Sequence, residues 1–173
     1  MKLAHIAIVT PHRAGLYETV RDLVAAERGL GVDARIVDPQ ATCVDRGVPT
    51  GFQFEPGEYD AIVNHSGIGA YSERVKKSGK PVIHCMHGRP ESSFRLEELK
   101  RAPVYSFLKA AGEDPMYRRF VTFWPEFVPY WSLILPADRI RTVTAPVDLQ
   151  AWTPDGPTGY KFNGRKGAIN VVV

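Results

Sequence analysis

Three of the five histidines in this 173-residue chain stand at or just past the end of an apolar run. His12 follows residues 4–10, His65 follows residues 60–64, and His87 follows residues 81–86. Parallel strands buried on both faces read as near-continuous apolar runs, and open α/β sheets bind ligands beyond the carboxyl ends of their strands. The three histidines therefore predict a polar site along one rim of a sheet. His87 is the sharpest member, because Gly88 lets the backbone turn there into a crevice. Ser66 accompanies His65 at the second rim position. Arg13 and Arg89 flank two of these turns and suit phosphate or carboxylate groups, or a solvated surface. Glu91 suits the start of a helix, or acid–base work.

Gly15 falls at the first strand-to-helix turn, where helix N–H groups attract anions, or it is simply a turn glycine. The dinucleotide fingerprint needs three spaced glycines, so Gly15 alone does not make one, although Asp38 lies at a ribose-binding distance. No GxxxxGK loop for a nucleoside triphosphate occurs. His84 and His87 have HxxH spacing, but on a strand positions three apart face opposite sides, which argues against one shared metal ion. His84 and His5 read instead as hydrogen-bonded core residues.

The elements that must position these residues alternate. Strands are expected over residues 3–10, 34–38, 59–64, 81–88, 119–124 and 140–144. Helices are expected from Leu16 to about Gly29, over 71–78, from Ser92 or Ser93 through Leu99 to a break at Pro103, and over 104–111 with Gly112 as the stop. Pro129 can open a helix running to Leu135, its missing N–H costing nothing in a first turn. Residues 40–58, rich in glycine and proline, read as one long loop. The aromatic run from Phe120 to Trp131 reads as core rather than as a membrane-docking face. The β-α-β order predicts an α/β fold, a Rossmann-like open parallel sheet with helices on both faces.

Composition bounds the function. A net charge of +3 permits anionic ligands and is far from the basic footprint of a nucleic-acid binder. No apolar run approaches the roughly 20 residues of a membrane span. Met1-Lys2 leads straight into a strand without a leader, and two cysteines, Cys43 and Cys85, make no disulfide framework. A cytoplasmic protein with reduced thiols is expected.

Gly15 with Val20 and Leu23, strand-final His87-Gly88, and the segment from Pro136 through Val147-Asp148 to Trp152-Thr153-Pro154 resemble the N-terminal domain of a GT-B glycosyltransferase. The group is the large retaining family that includes bacterial mannosyltransferases and sucrose synthases. Two positions depart from its pattern: Ala14 precedes Gly15 where the family pairs glycines, and Ala145-Pro146 replaces Asn-Gly before Val-Asp. The resemblance implies an acceptor-side domain over residues 1–154, then a linker and the first strand of a nucleotide-sugar domain over 155–173. It implies that Gly15 approaches the donor phosphates and that His87 is the catalytic contact to the donor sugar. His12, Arg13, His65, Ser66, Gly88, Arg89 and Glu91 would line the substrate site. No metal or other cofactor is expected beyond the nucleotide-sugar donor. Partners would be that donor, an acceptor, and a C-terminal GT-B domain in cis or in trans. Residues 169–173, β-branched except at Asn170, could also promote self-association. The alternative is a non-catalytic Rossmann-like module that binds a small anion or glycan.

Overall fold

The computed structural model describes residues 1–7, 14–39, 50–51, 53–65, 68–87 and 103–144. Seven strands, β1 (Lys2–Ile6), β2 (Asp33–Val37), β3 (Thr50–Gly51), β4 (Ala61–Asn64), β5 (Val82–Met86), β6 (Tyr117–Thr122) and β7 (Ile140–Thr142), form one sheet in the order β3-β2-β1-β4-β5-β6-β7. Every pairing is parallel. The fold is the expected Rossmann-like α/β sheet. Because the chain winds outward from β1 in one direction and then returns to β4, the order reverses between β1 and β4. In sheets of this kind, the crevice beyond such a reversal is where ligands bind.

Helix α1 (Ala14–Gly29) shows how the sequence builds this edge. Tyr17, Val20 and Val24 recur at helical spacing and pack with Leu3, Ala7, Ala34 and Ile36 on one face of the sheet. The next position on that buried stripe is Glu27. The helix stops in a Schellman motif: the Gly31 N–H donates to Arg28 O and the Val32 N–H to Glu27 O, with Gly31 at φ +82°. That cap fixes Glu27 in the last turn, over β1.

The opposite face is covered by helices α2 (Ser72–Ser78) and α3 (Pro103–Glu113), which contribute Val75, Leu108 and Ala111 to a core containing Ala4, Ile6, Ile62, Val82 and Phe120. Pro103 opens α3, where a missing N–H is harmless. Gly112 does not stop that helix. It lies inside it, where an added Cβ would stand 3.2 Å from Pro136 Cδ, so it permits a close approach. Helix α4 (Val128–Trp131) is shorter than the run expected to Leu135; beyond Trp131 the chain continues in turns. Phe120, Phe123 and Trp131 are buried, so the aromatic run is core. Within the stretch read as one loop, the two-residue β3 adds to the edge of β2 and a 3-10 turn spans Pro56–Glu58. Neither is long enough to show a hydrophobic period. Among the described residues no helix is long and apolar enough to cross a membrane. The helix expected from Ser92 to Leu99, the 154/155 boundary and the terminal strand lie outside the described residues.

Candidate functional site at the carboxyl edge of the sheet

Side chains two apart on a strand share a face, and strand register decides which of them meet. His5 on β1 is level with Val63 on β4, and Val63 is level with Ile83 on β5. Two residues beyond Val63 comes His65, and two beyond Cys85 comes His87. His5, His65 and His87 therefore all project to the α1 side, along a diagonal that climbs the carboxyl edge across the reversal between β1 and β4.

They touch in series. His5 Nδ1 lies 3.0 Å from His65 Nε2, and His65 Nδ1 lies 2.7 Å from His87 Nε2. The His65 backbone N–H donates to Ile6 O at 2.9 Å, pinning the middle ring to β1. At the inner end, His5 Nε2 stands 2.7 Å from Glu27 Oε2; the approach is close but bent, so neither atom completes an in-line hydrogen bond. His87 packs its ring 4.9 Å from that of Phe123. His5 is 0% exposed, His65 is buried, and His87 is part-buried.

Burial decides the charge of these rings. Desolvation holds His65 well below the usual imidazole range, and the neighbouring His5, His87 and His84 push it the same way. Desolvation also lowers His87 to about 4. Both are neutral at physiological pH. A neutral imidazole has one N–H and one lone pair, so each ring can donate on one side and accept on the other. Because His65 uses both nitrogens on its neighbours, the three rings make a line and not a coordination sphere. Among the described residues, no group of three or more His, Cys, Asp or Glu side chains could hold a metal ion.

The other face carries a separate polar pair. The Asn64 amide Nδ2 donates to His84 Nδ1 at 2.8 Å, and the His84 ring sits edge-on to Phe107 and Phe120. Part of His84 reaches solvent, yet protein crowds the ring; that crowding dominates and lowers it to about 4, helped by His87. His84 and His87 do face opposite sides, as HxxH spacing on a strand requires. Cys85, between them, is buried with its thiol pushed up to about 12 by desolvation and then by Glu27, which makes it a poor nucleophile.

Of the expected site residues, the structure brings His65 and His87 together and puts Gly15 in the first turn of α1. His12, Arg13, Ser66, Gly88, Arg89 and Glu91 lie outside the described residues. Sequence reasoning made His5 a hydrogen-bonded core residue, which it is, but missed that its partner is His65. It missed Glu27 altogether. The available signal was a carboxylate on the apolar stripe of α1 facing the only polar residue inside β1's apolar run. Asp38, fully buried just past β2, also stands at the carboxyl edge, where its charge adds to the desolvation that raises Tyr71. Farther out, a cleft of about 630 Å³ is lined by Arg35, Phe54, Tyr59, Tyr71 and Arg74, with Arg74 paired to Glu55 at 3.5 Å. Neither a scan against protein-family models nor a search of curated proteins finds a match for the chain.

Proposed function

We propose that this chain is the acceptor-side half of a retaining GT-B glycosyltransferase, moving a sugar from a nucleotide donor to an acceptor hydroxyl. The observation that carries the reading is the neutral ring of His87. It stands part-buried at the rim of a doubly wound sheet, held by His65 at the end of the neighbouring strand, and His65 in turn reaches His5 across the strand-order reversal. A site for an uncharged sugar benefits from neutral donors and acceptors, since an unpaired buried charge would be costly to desolvate. In this reading His87 touches the donor sugar near its reacting carbon, and Arg13, Arg89 and the α1 N-terminus with Gly15 meet the leaving diphosphate. The nucleotide pocket belongs to a second domain, in cis or in trans. The same reading places the protein in the cytoplasm and lets residues 169–173 pair with another sheet.

The test is turnover. Nucleotide-sugars and candidate acceptors are supplied to the protein and to a chain extended beyond Val173, and both nucleotide release and new glycoside are measured. Transfer that falls at least about 100-fold in His87→Ala supports the proposal, by analogy with loss of one transition-state contact. Absence of transfer and hydrolysis with every donor would contradict it. Tight binding of an anion or glycan without turnover would make the protein a binding module.

A further inference from the structure

We propose that Glu27, His5, His65 and His87 form a proton relay in which a proton taken at His87 Nδ1 ends on the Glu27 carboxylate. Two lone pairs 2.7 Å apart on His5 Nε2 and Glu27 Oε2 would repel, so one of the two atoms carries a proton, although the approach is bent and the carboxylate must turn to take it in line. With Glu27 ionised, that proton is on His5 Nε2. His5 Nδ1 then has only a lone pair, and at 3.0 Å it must accept from His65 Nε2–H. His65 Nδ1 must in turn accept from His87 Nε2–H at 2.7 Å. The order of N–H groups is thereby set along the whole line, and His87 is left with a bare Nδ1. No hydrogen bond to that atom occurs among the described residues, and His87 is the one ring of the three that is not fully buried.

Suppose a hydroxyl gives its proton to His87 Nδ1. The Nε2 proton of His87 passes to His65 Nδ1, the Nε2 proton of His65 passes to His5 Nδ1, and the Nε2 proton of His5 passes to Glu27. One proton has entered and one carboxylate has become a carboxylic acid. Each ring has exchanged an Nε2–H for an Nδ1–H and is neutral before and after. That outcome suits three rings set in a desolvated row, none of which has to store charge. Glu27 is the suitable terminus: Oε2 is buried against His5, while the side chain as a whole is 21% exposed. Identifying the hydroxyl as that of a sugar acceptor rests on the transfer reading. In that case its oxygen forms the bond to the sugar carbon as the proton leaves, and the diphosphate departs with the electrons of the broken bond.

Nitrogen NMR of the imidazoles tests the relay without any substrate. At neutral pH all three rings should carry hydrogen on Nε2. As pH falls, the three should exchange Nε2–H for Nδ1–H together, in step with the change in the Glu27 carboxyl carbon signal. In Glu27→Gln, whose amide oxygen can still accept from His5, the neutral-pH order should survive and the joint exchange should be lost. His84, on the other face, reports whether that variant is folded; if it is not, the titration of the unaltered protein decides the matter. An Nδ1–H form of His65 or His87 at neutral pH, or three unlinked titrations, would overturn the relay. These results stand whether or not sugar transfer is found.

Discussion

The two faces of the sheet treat histidine differently. On the α3 side, His84 has one hydrogen-bond partner, Asn64, and two aromatic neighbours, Phe107 and Phe120. On the α1 side, His5, His65 and His87 are linked through both nitrogens of the middle ring and end against Glu27. Burial makes His84, His65 and His87 neutral alike. Desolvation alone therefore does not mark a functional group. What differs is connection: His84 has one hydrogen-bond partner in a packed setting, whereas a connected row can orient the hydrogen of its outermost member.

The largest expected effect belongs to the packed face. Phe120 is fully buried and stacks 6.1 Å from Tyr117, so Phe120→Ala should destabilise by about 3–5 kcal/mol in denaturant unfolding. A much smaller loss would mean that the α3 side is not the main core and would blur the contrast.

Acid should act on both faces together. His84 and His87 bind protons near pH 4 when folded and near 6.5 when unfolded. Between those values the unfolded chain holds more protons, so stability is full above about pH 6.5 and falls as the pH drops toward 4. Each group contributes up to about 3 kcal/mol to that loss. The two are not independent, because His87 contributes to the shift at His84. Unfolding midpoints measured from pH 7 to 4 check the slope; a flat profile would show that the rings are not desolvated.

His5→Leu fits an apolar strand yet leaves His65 Nε2 and Glu27 Oε2 facing nothing polar, and should cost about 2 kcal/mol. Adding Glu27→Leu should recover part of that loss, because removing both partners spares the stranded group. A double variant no better than His5→Leu would mean that the Glu27 contact is incidental.

The smallest change in stability is expected for the residue with the largest expected functional role. His87 is only part-buried, so His87→Ala should cost about 1 kcal/mol, with water able to reach the freed His65 Nδ1. A collapse of the melting temperature would place His87 with His84, as a packing residue.

Much of this architecture was legible. Apolar runs of strand length, separated by residues at helical spacing, specified six of the strands and the parallel sheet. The same runs, with histidines at their ends, located the rim and named His65 and His87. What was not legible depended on register. Whether His5 meets His65 follows from His5 being level with Val63, a fact of backbone pairing that no single strand encodes. Glu27 was obscured because one carboxylate on an apolar stripe reads as a solvated edge until its cap and crossing position are known. The two residues of β3 and the single turn at Pro56–Glu58 are too short for any periodicity. Gly112 carried the wrong implication because glycine serves both helix termination and close packing, and only the position of Pro136 distinguishes them.

If the α1 side of the carboxyl edge is the proposed ligand site and the α3 side is packing, the imidazoles of the two faces should respond differently to a ligand. The most direct measurement follows the imidazole signals of His65, His87 and His84 while nucleotide-sugars and glycans are titrated into the protein. His65 and His87 should shift together and saturate, while His84 stays in place. Movement of His84 with His65 and His87 unchanged, or no movement of any ring at saturating ligand, would contradict it.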